Sequence, residues 1–145
     1  IAVSLGSGNW VVTHYQVKGA VPSIIASGTY TPTGTASTNV TTVTPSTCVY
    51  SRVGSVVTVS GVVAVTQTSA TGTTVFYLTF PISSASTSAN DAAGVFATTG
   101  DGSGAQAAGR IYSDHTNDRF AFTYIGSTTG TGPFSFSFTA QYLIV

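Results

Sequence analysis

The sequence contains no glutamate and no methionine, and only one cysteine (Cys48), one lysine (Lys18) and one tryptophan (Trp10). Charged residues fill 6% of its 145 positions, against about a quarter in an average globular domain. Each shortage removes a class of protein. A single cysteine excludes an intrachain disulfide framework. The cations Lys18, Arg52, Arg110 and Arg119 are scattered along the chain, whereas binding of phosphates requires them clustered, so neither nucleic acid nor an acidic membrane surface is expected as a partner. No apolar run approaches the roughly eighteen residues of a membrane span, and the opening residues lack the charged and apolar regions of a signal peptide. A start at Ile1 with no methionine anywhere reads as a processed product or the carboxy-terminal part of something longer.

What is present is apolar and hydroxylated. With 42% hydrophobic residues and zero formal net charge, the chain lacks the composition of a disordered segment. Its polar surface comes from 26 Thr and 19 Ser. Hydroxyls keep their hydrogen bonding over a wide range of salt and pH, which suits a protein exposed outside a cell. The length corresponds to one domain able to bury a real core without staples.

The hydrophobic pattern has period two and is interrupted by turn residues at short intervals. In PFSFSFTAQYLIV, Phe134, Phe136, Phe138, Ala140, Tyr142 and Ile144 project to one side and Ser135, Ser137, Thr139 and Gln141 to the other, as alternate strand residues do. RFAFTYI repeats the pattern with Phe120, Phe122 and Tyr124, and TTVFYLTFP gives an apolar run closed by Pro81. SVVTVSGVVAVTQ is long, with Gly61 at its centre marking a bulge or bend. Further strands are expected in WVVTHYQV, GTYTPT, NVTTVT, TCVYSRV, AGVFATT and GRIYSD. The total is about eight to ten strands and no convincing helix. Only SSASTSANDAAG has weak helical character. The expected fold is all-β, an antiparallel β-sandwich of the jelly-roll type. Residues 1–27 differ in composition and are read as an arm or first strand serving attachment or subunit contact, with residues 28–145 forming the sandwich. No internal repeat indicates a propeller or solenoid.

SGTYTPTGT, CVYSRVGSVVTVSGVVAV, LTFPISS and HTNDRFAFTYI, in that order, resemble a domain recurrent in virion proteins of tailed bacteriophages. The sharpest element is Tyr50 followed by Arg52 to Gly61, and the likeness extends from Gly28 to Tyr142. It implies an exposed virion domain, a fibre or spike head or a capsid-decorating protein, associated as a homotrimer and joined to other virion proteins of capsid or tail. The alternative is a carbohydrate-binding module that recognises a host surface glycan, since jelly rolls also serve as lectins.

Chemistry has little to work with. SDHTNDR concentrates Asp114, His115, Asn117, Asp118 and Arg119, and reads as a polar hairpin loop whose Asx side chains bond nearby backbone. It lacks the glycine and the terminal Glu of a calcium loop. TTGDGSG is followed by a strand pattern, not the helix that a phosphate-cradling loop requires, and Asp101-Gly102 suits a tight turn. No G-x-S-x-G elbow occurs, His14 and His115 have no assignable nucleophile, and no Asp pair stands out as a glycosidase couple. No catalytic, cofactor-binding or metal-binding residues are assigned, and the protein is expected not to be an enzyme. Asn39-Val40-Thr41 has the form of a glycosylation sequon that arises readily by chance in a Thr-rich chain. Cys48 reads as a buried strand residue, and Arg52 as the anchor of a strand end or interface through carbonyl oxygens.

Overall fold

The computed structural model describes residues 2–6, 9–12, 25–99, 107–126 and 130–145. Strands β1 (Ala2–Gly6) and β2 (Asn9–Val12) pair with each other. The other ten strands form one sheet. They are β3 (Ile25–Tyr30), β4 (Gly34–Ala36), β5 (Val40–Pro45), β6 (Cys48–Val53), β7 (Val56–Gln67), β8 (Thr73–Thr79), β9 (Ala92–Thr98), β10 (Ala108–Asp114), β11 (Arg119–Ile125) and β12 (Phe134–Leu143). Their hydrogen-bonded order is β3-β6-β7-β12-β9-β10-β11-β8-β4, with β5 also on β7, and every pairing is antiparallel.

The alternating segments became strands as their period demanded, and the inward positions of β12 (Phe134, Phe136, Phe138, Ala140 and Tyr142) are all buried. The strand inventory differs in two places. GTYTPT is extended only as far as Tyr30, in β3, and leaves the ladder before Pro32, whose nitrogen carries no proton to donate; β4 follows at Gly34–Ala36, beyond the expected strand. The Gly/Ser-rich opening, read as part of an arm or first strand, supplies β1, which pairs with β2 and not with the ten-stranded sheet. The weakly helical stretch contains a single 3-10 turn, Ala89–Asp91, closed by a reciprocal Ser88 and Asp91 capping box.

The expected two-sheet jelly roll is not what the hydrogen bonding delineates. Ten strands are joined in one strongly curled half-barrel, because β7 is long enough to hold β6 and then β5 on one edge while β12 runs along the other. Gly61 lies where β6 gives way to β5. Register with β12 is unbroken there, Phe138 opposite Gly61, so no bulge forms. Instead, a side chain at 61 would strike the Cys48 sulfur. The glycine leaves room for the buried cysteine at the head of β6.

Curling is driven by aromatic contact across the interior. Phe122 of β11 meets Phe138 of β12 edge-to-face at 5.2 Å between ring centres, although β9 and β10 separate those strands in the sheet. Phe76 of β8 stacks on Phe122 at 4.6 Å and reaches Phe96 of β9 at 6.1 Å. These separations lie in the favourable range for aromatic pairs. At the open side, the Val75 amide donates to the Thr38 carbonyl and the Thr68 amide to the Asn39 carbonyl, so the connection from β4 to β5 spans the gap between β8 and the end of β7.

Removing the fully buried Phe136 ring is expected to destabilise the fold by about 3–5 kcal/mol, and Ser137→Ala on the opposite side of the same strand by well under 1 kcal/mol. Chemical denaturation of the two variants measures the difference. Equal losses would contradict the assignment of faces.

Candidate functional site: the polar hairpin and the outer sheet face

Among the described residues, two regions gather the polar and exposed side chains, the β10–β11 hairpin with its surroundings and the outward face of the sheet. The hairpin is built around ion pairing and backbone capture. Asp114 and Arg119 occupy opposed positions at the ends of β10 and β11, and the Arg119 Nε donates to Asp114 Oδ2 at 2.7 Å. Asn117 Nδ2 donates to the same oxygen at 2.9 Å. Burial pushes the Asp114 carboxyl up, but the bonds from Arg119 and Asn117 and the Arg119 charge outweigh it and hold it below the usual carboxylate range. Such a carboxylate is ionised, and both Arg119 and Asn117 engage it at Oδ2. The Arg119 guanidinium also lies 3.8 Å from the centre of the Tyr77 ring, a cation–π contact.

Asp118, the last loop residue, has φ 51°, the left-handed region that Asp tolerates better than most residues. This conformation turns its carboxylate onto the segment after β8. Oδ2 accepts from the Ser84 amide at 2.8 Å and Oδ1 from the Ser86 amide at 3.4 Å. The expectation of Asx side chains bonding nearby backbone holds for Asp114, which stays within its own hairpin, whereas the contacts of Asp118 reach more than thirty residues back. Three further clamps hold the same segment. Tyr142 Oη accepts from the Ile82 amide and donates to the Ile82 carbonyl, Ser84 Oγ donates to the Leu143 carbonyl, and the Ser86 and Ser113 hydroxyls pair at 2.8 Å. Burial raises the Tyr142 phenol to about 12, so it stays protonated as this bidentate bond requires. Asp91 accepts from the Thr87 and Ser88 amides, which lower its pKa. His115 is exposed in the loop. The structure thus brings Asp114, Asn117 and Arg119 together on Asp114 Oδ2, while Asp118 faces the segment after β8 instead.

The other singled-out residues are also structurally committed. Asn39, the asparagine of the sequon, has φ 56°. Its amide donates to the Ser69 carbonyl and to Thr74 Oγ1, and its oxygen accepts from the Ser69 amide and hydroxyl. Cys48 is fully buried, and burial pushes its thiol up, the state of an inert sulfur. Arg52 donates from Nε to the Gly54 carbonyl at 2.7 Å, anchoring the end of β6 at the two-residue turn where Gly54 takes φ 61°. Trp10 falls in β2. His14, Lys18 and Asp101-Gly102 lie outside the described residues. Among the described residues, no group of three or more His, Cys, Asp or Glu is placed to hold a metal ion.

The outward face divides into two zones. On β8, β11 and β10, the register places Tyr77, Ala121 and Tyr112 in one row, with Arg119 over Tyr77 and Arg110 within 5.2 Å of the Tyr112 ring centre. Ala121 has no exposed surface although it points outward, hemmed in by the two tyrosines. On β6, β7, β12 and β9 the outward side chains are Val, Leu, Ala, Ser, Thr and Gln alone. Neither zone stands out from the sequence as a site, because a zone is a product of strand order. Its one visible trace is the uncharged outward set of β12.

Replacing Asp118 by Ala is expected to destabilise the fold by about 1–3 kcal/mol, since the part-buried Ser84 amide loses its acceptor. Asn117→Ala, at an exposed position, is expected to change stability by less than about 1 kcal/mol. Denaturation midpoints of both variants test this, and an Asp118→Ala chain as stable as the parent would show that the segment after β8 is held without it.

No family model and no solved structure matches the chain. A stretch of 81 residues, 56% of this chain, is 36% identical to the collagen-like protein V6 of Sputnik virophage, and it covers 26% of that protein. The chain therefore spans about a quarter of the length of this relative, a likeness to a viral protein confined to one part of it.

Proposed function

We propose that this chain is a non-enzymatic structural domain of a virus particle, displayed on the virion surface as a homotrimeric fibre head, spike head or capsid decoration. The observation that carries the reading is the likeness to a viral collagen-like protein. A collagen triple helix winds three chains around a crowded axis, so any globular module attached to one is present in three copies. The local chemistry favours assembly over turnover: the carboxylates of Asp91, Asp114 and Asp118 each accept bonds from their own fold. The tailed-bacteriophage likeness of the Tyr50 to Gly61 element points the same way.

The receptor-binding alternative rests on the Tyr77 and Tyr112 patch. One face of Tyr77 is already covered by Arg119, and the Asp114 carboxylate is already shared by Arg119 and Asn117. A sugar would have to displace those contacts, so assembly is the better supported reading.

Light scattering on the purified chain tests the proposal. The expected result is a trimer at micromolar concentration whose mass is the same at low and high salt, because ion pairs contribute little among so few charges and there is little to screen. A monomer would overturn the trimer, and an oligomer that dissociates as salt rises would show that its contacts are ionic.

A further inference from the structure

We infer that the outward face of β6, β7, β12 and β9 is the surface through which copies of this chain pack on one another. The inference rests on the homotrimer reading and adds to it the location of the contact. Of the eight large apolar side chains exposed among the described residues, six lie on this face: Val49, Val53, Val56, Val62, Val95 and Leu143. Val95, in the middle of β9, is 69% exposed. Val53, Val56 and Leu143 adjoin at one end of the face, and Val49, Val62 and Val95 flank the hydroxyl-bearing row of β12; exposed apolar side chains gathered on one face in this way mark a contact site.

The charge pattern selects the partner. The outward residues of these four strands include no ionisable group, whereas Arg110, Arg119 and Asp114 all belong to the neighbouring β10 and β11 zone, and Arg52 lies on the inward side of β6. Around a three-fold axis the residues nearest the axis meet their own copies in the other two subunits, while the rest of the face meets a different patch of the neighbour. Like charges juxtaposed in this way cost several kcal/mol, and a face without charge avoids that cost. An oppositely charged partner, a nucleic acid or an acidic surface would find nothing here to pair with.

The polar groups on the face are prepared for loss of water. The Ser60 and Thr139 hydroxyls bond each other at 3.1 Å, and Gln141 Nε2 donates to Thr58 Oγ1 at 3.2 Å. Each pair spans β7 and β12 and satisfies part of its hydrogen bonding within one subunit, which reduces the cost of burial. Shallow grooves run along both sides of β12, one bordered by Val95, Ala108 and Ser137 and the other by Val49, Ser60 and Val62. The 35 residues of these four strands, at about 3.4 Å each along strands about 4.8 Å apart, give a face on the order of 570 Å². Stable complexes take about 800 Å² of accessible surface from each partner, so the face is of the required order.

Two variants of the full chain test the assignment, one on each side of β12. Val49→Arg places a cation on the face, and Ile125→Arg places one at the 70% exposed end of β11 outside it. With the parent a trimer, Val49→Arg is expected to be monomeric at the same concentration, its dissociation constant raised at least about a hundredfold, and Ile125→Arg to remain trimeric; circular dichroism verifies that each is folded. Maleimide labelling gives a readout that does not depend on a disruptive charge. Val95→Cys is expected to react at least about tenfold more slowly in the trimer than Ile125→Cys, the parent cysteine being buried. A parent that is monomeric overturns the homotrimer reading and this inference with it. A trimeric parent whose Val49→Arg variant stays trimeric, or whose Val95→Cys variant labels as fast as Ile125→Cys, leaves the trimer standing and overturns the face.

Discussion

The pairing of β7 with β12 is the contact on which the rest of the structure depends. Ten residue pairs, from Phe134 opposite Val65 to Leu143 opposite Val56, run without a register break. The ribbon so formed has one side of Val57, Val59, Val63, Val65, Phe134, Phe136, Phe138 and Tyr142, all buried, and another side of Val, Leu, Ala, Ser, Thr and Gln. A slip of one residue would exchange these sides and expose the phenylalanines. The aromatic core, the curl of the sheet and the uncharged outer face are all consequences of this one register.

From the ribbon outward, each element is held by a different kind of contact. β9 continues the sheet beyond β12 and brings Phe96 against Phe136; β11 and β8 then return over the interior, where Phe122 and Phe76 close it. The segment between β8 and the 3-10 turn has no sheet partner and depends on side chains. Tyr142, whose ring packs on Phe80 and whose hydroxyl grips Ile82, ties it directly to the ribbon, and Asp118 ties it to the β10–β11 hairpin. A buried phenol and a left-handed aspartate do there what hydrogen-bonded strands do elsewhere.

The strands were legible in the sequence wherever one face is apolar and the other hydroxylated, because period two then leaves a single solution. Phe134 to Tyr142 and Phe120 to Tyr124 are of this kind. Strand order was not legible: nothing local in Val56–Gln67 says that its one edge serves two partners, and that sharing is what joins the strands into one curled sheet. Long-range polar clamps were hidden for a related reason. Asp118 and Asn39 look like ordinary turn formers, and their targets lie about thirty residues away along the chain; a short polar residue beside a turn is the only local signal. Arg52 was readable as a strand-end anchor because its partner, the Gly54 carbonyl, is two residues away. The outer face belongs to the hidden class, since it exists only once β6, β7, β12 and β9 lie side by side.

An architecture with few charges and a hydroxyl-rich exterior concentrates its stability in that central ribbon and leaves its outer surface free for neutral contacts, which salt has little power to screen. Amide hydrogen exchange is the most direct test of the ribbon's role. If β7 and β12 are the structural spine, their inter-strand amides exchange more slowly than those of any other element, at the rate of global unfolding, while those of the edge strand β4 exchange sooner through local opening. Exchange of the β12 amides ahead of β4 would contradict the account.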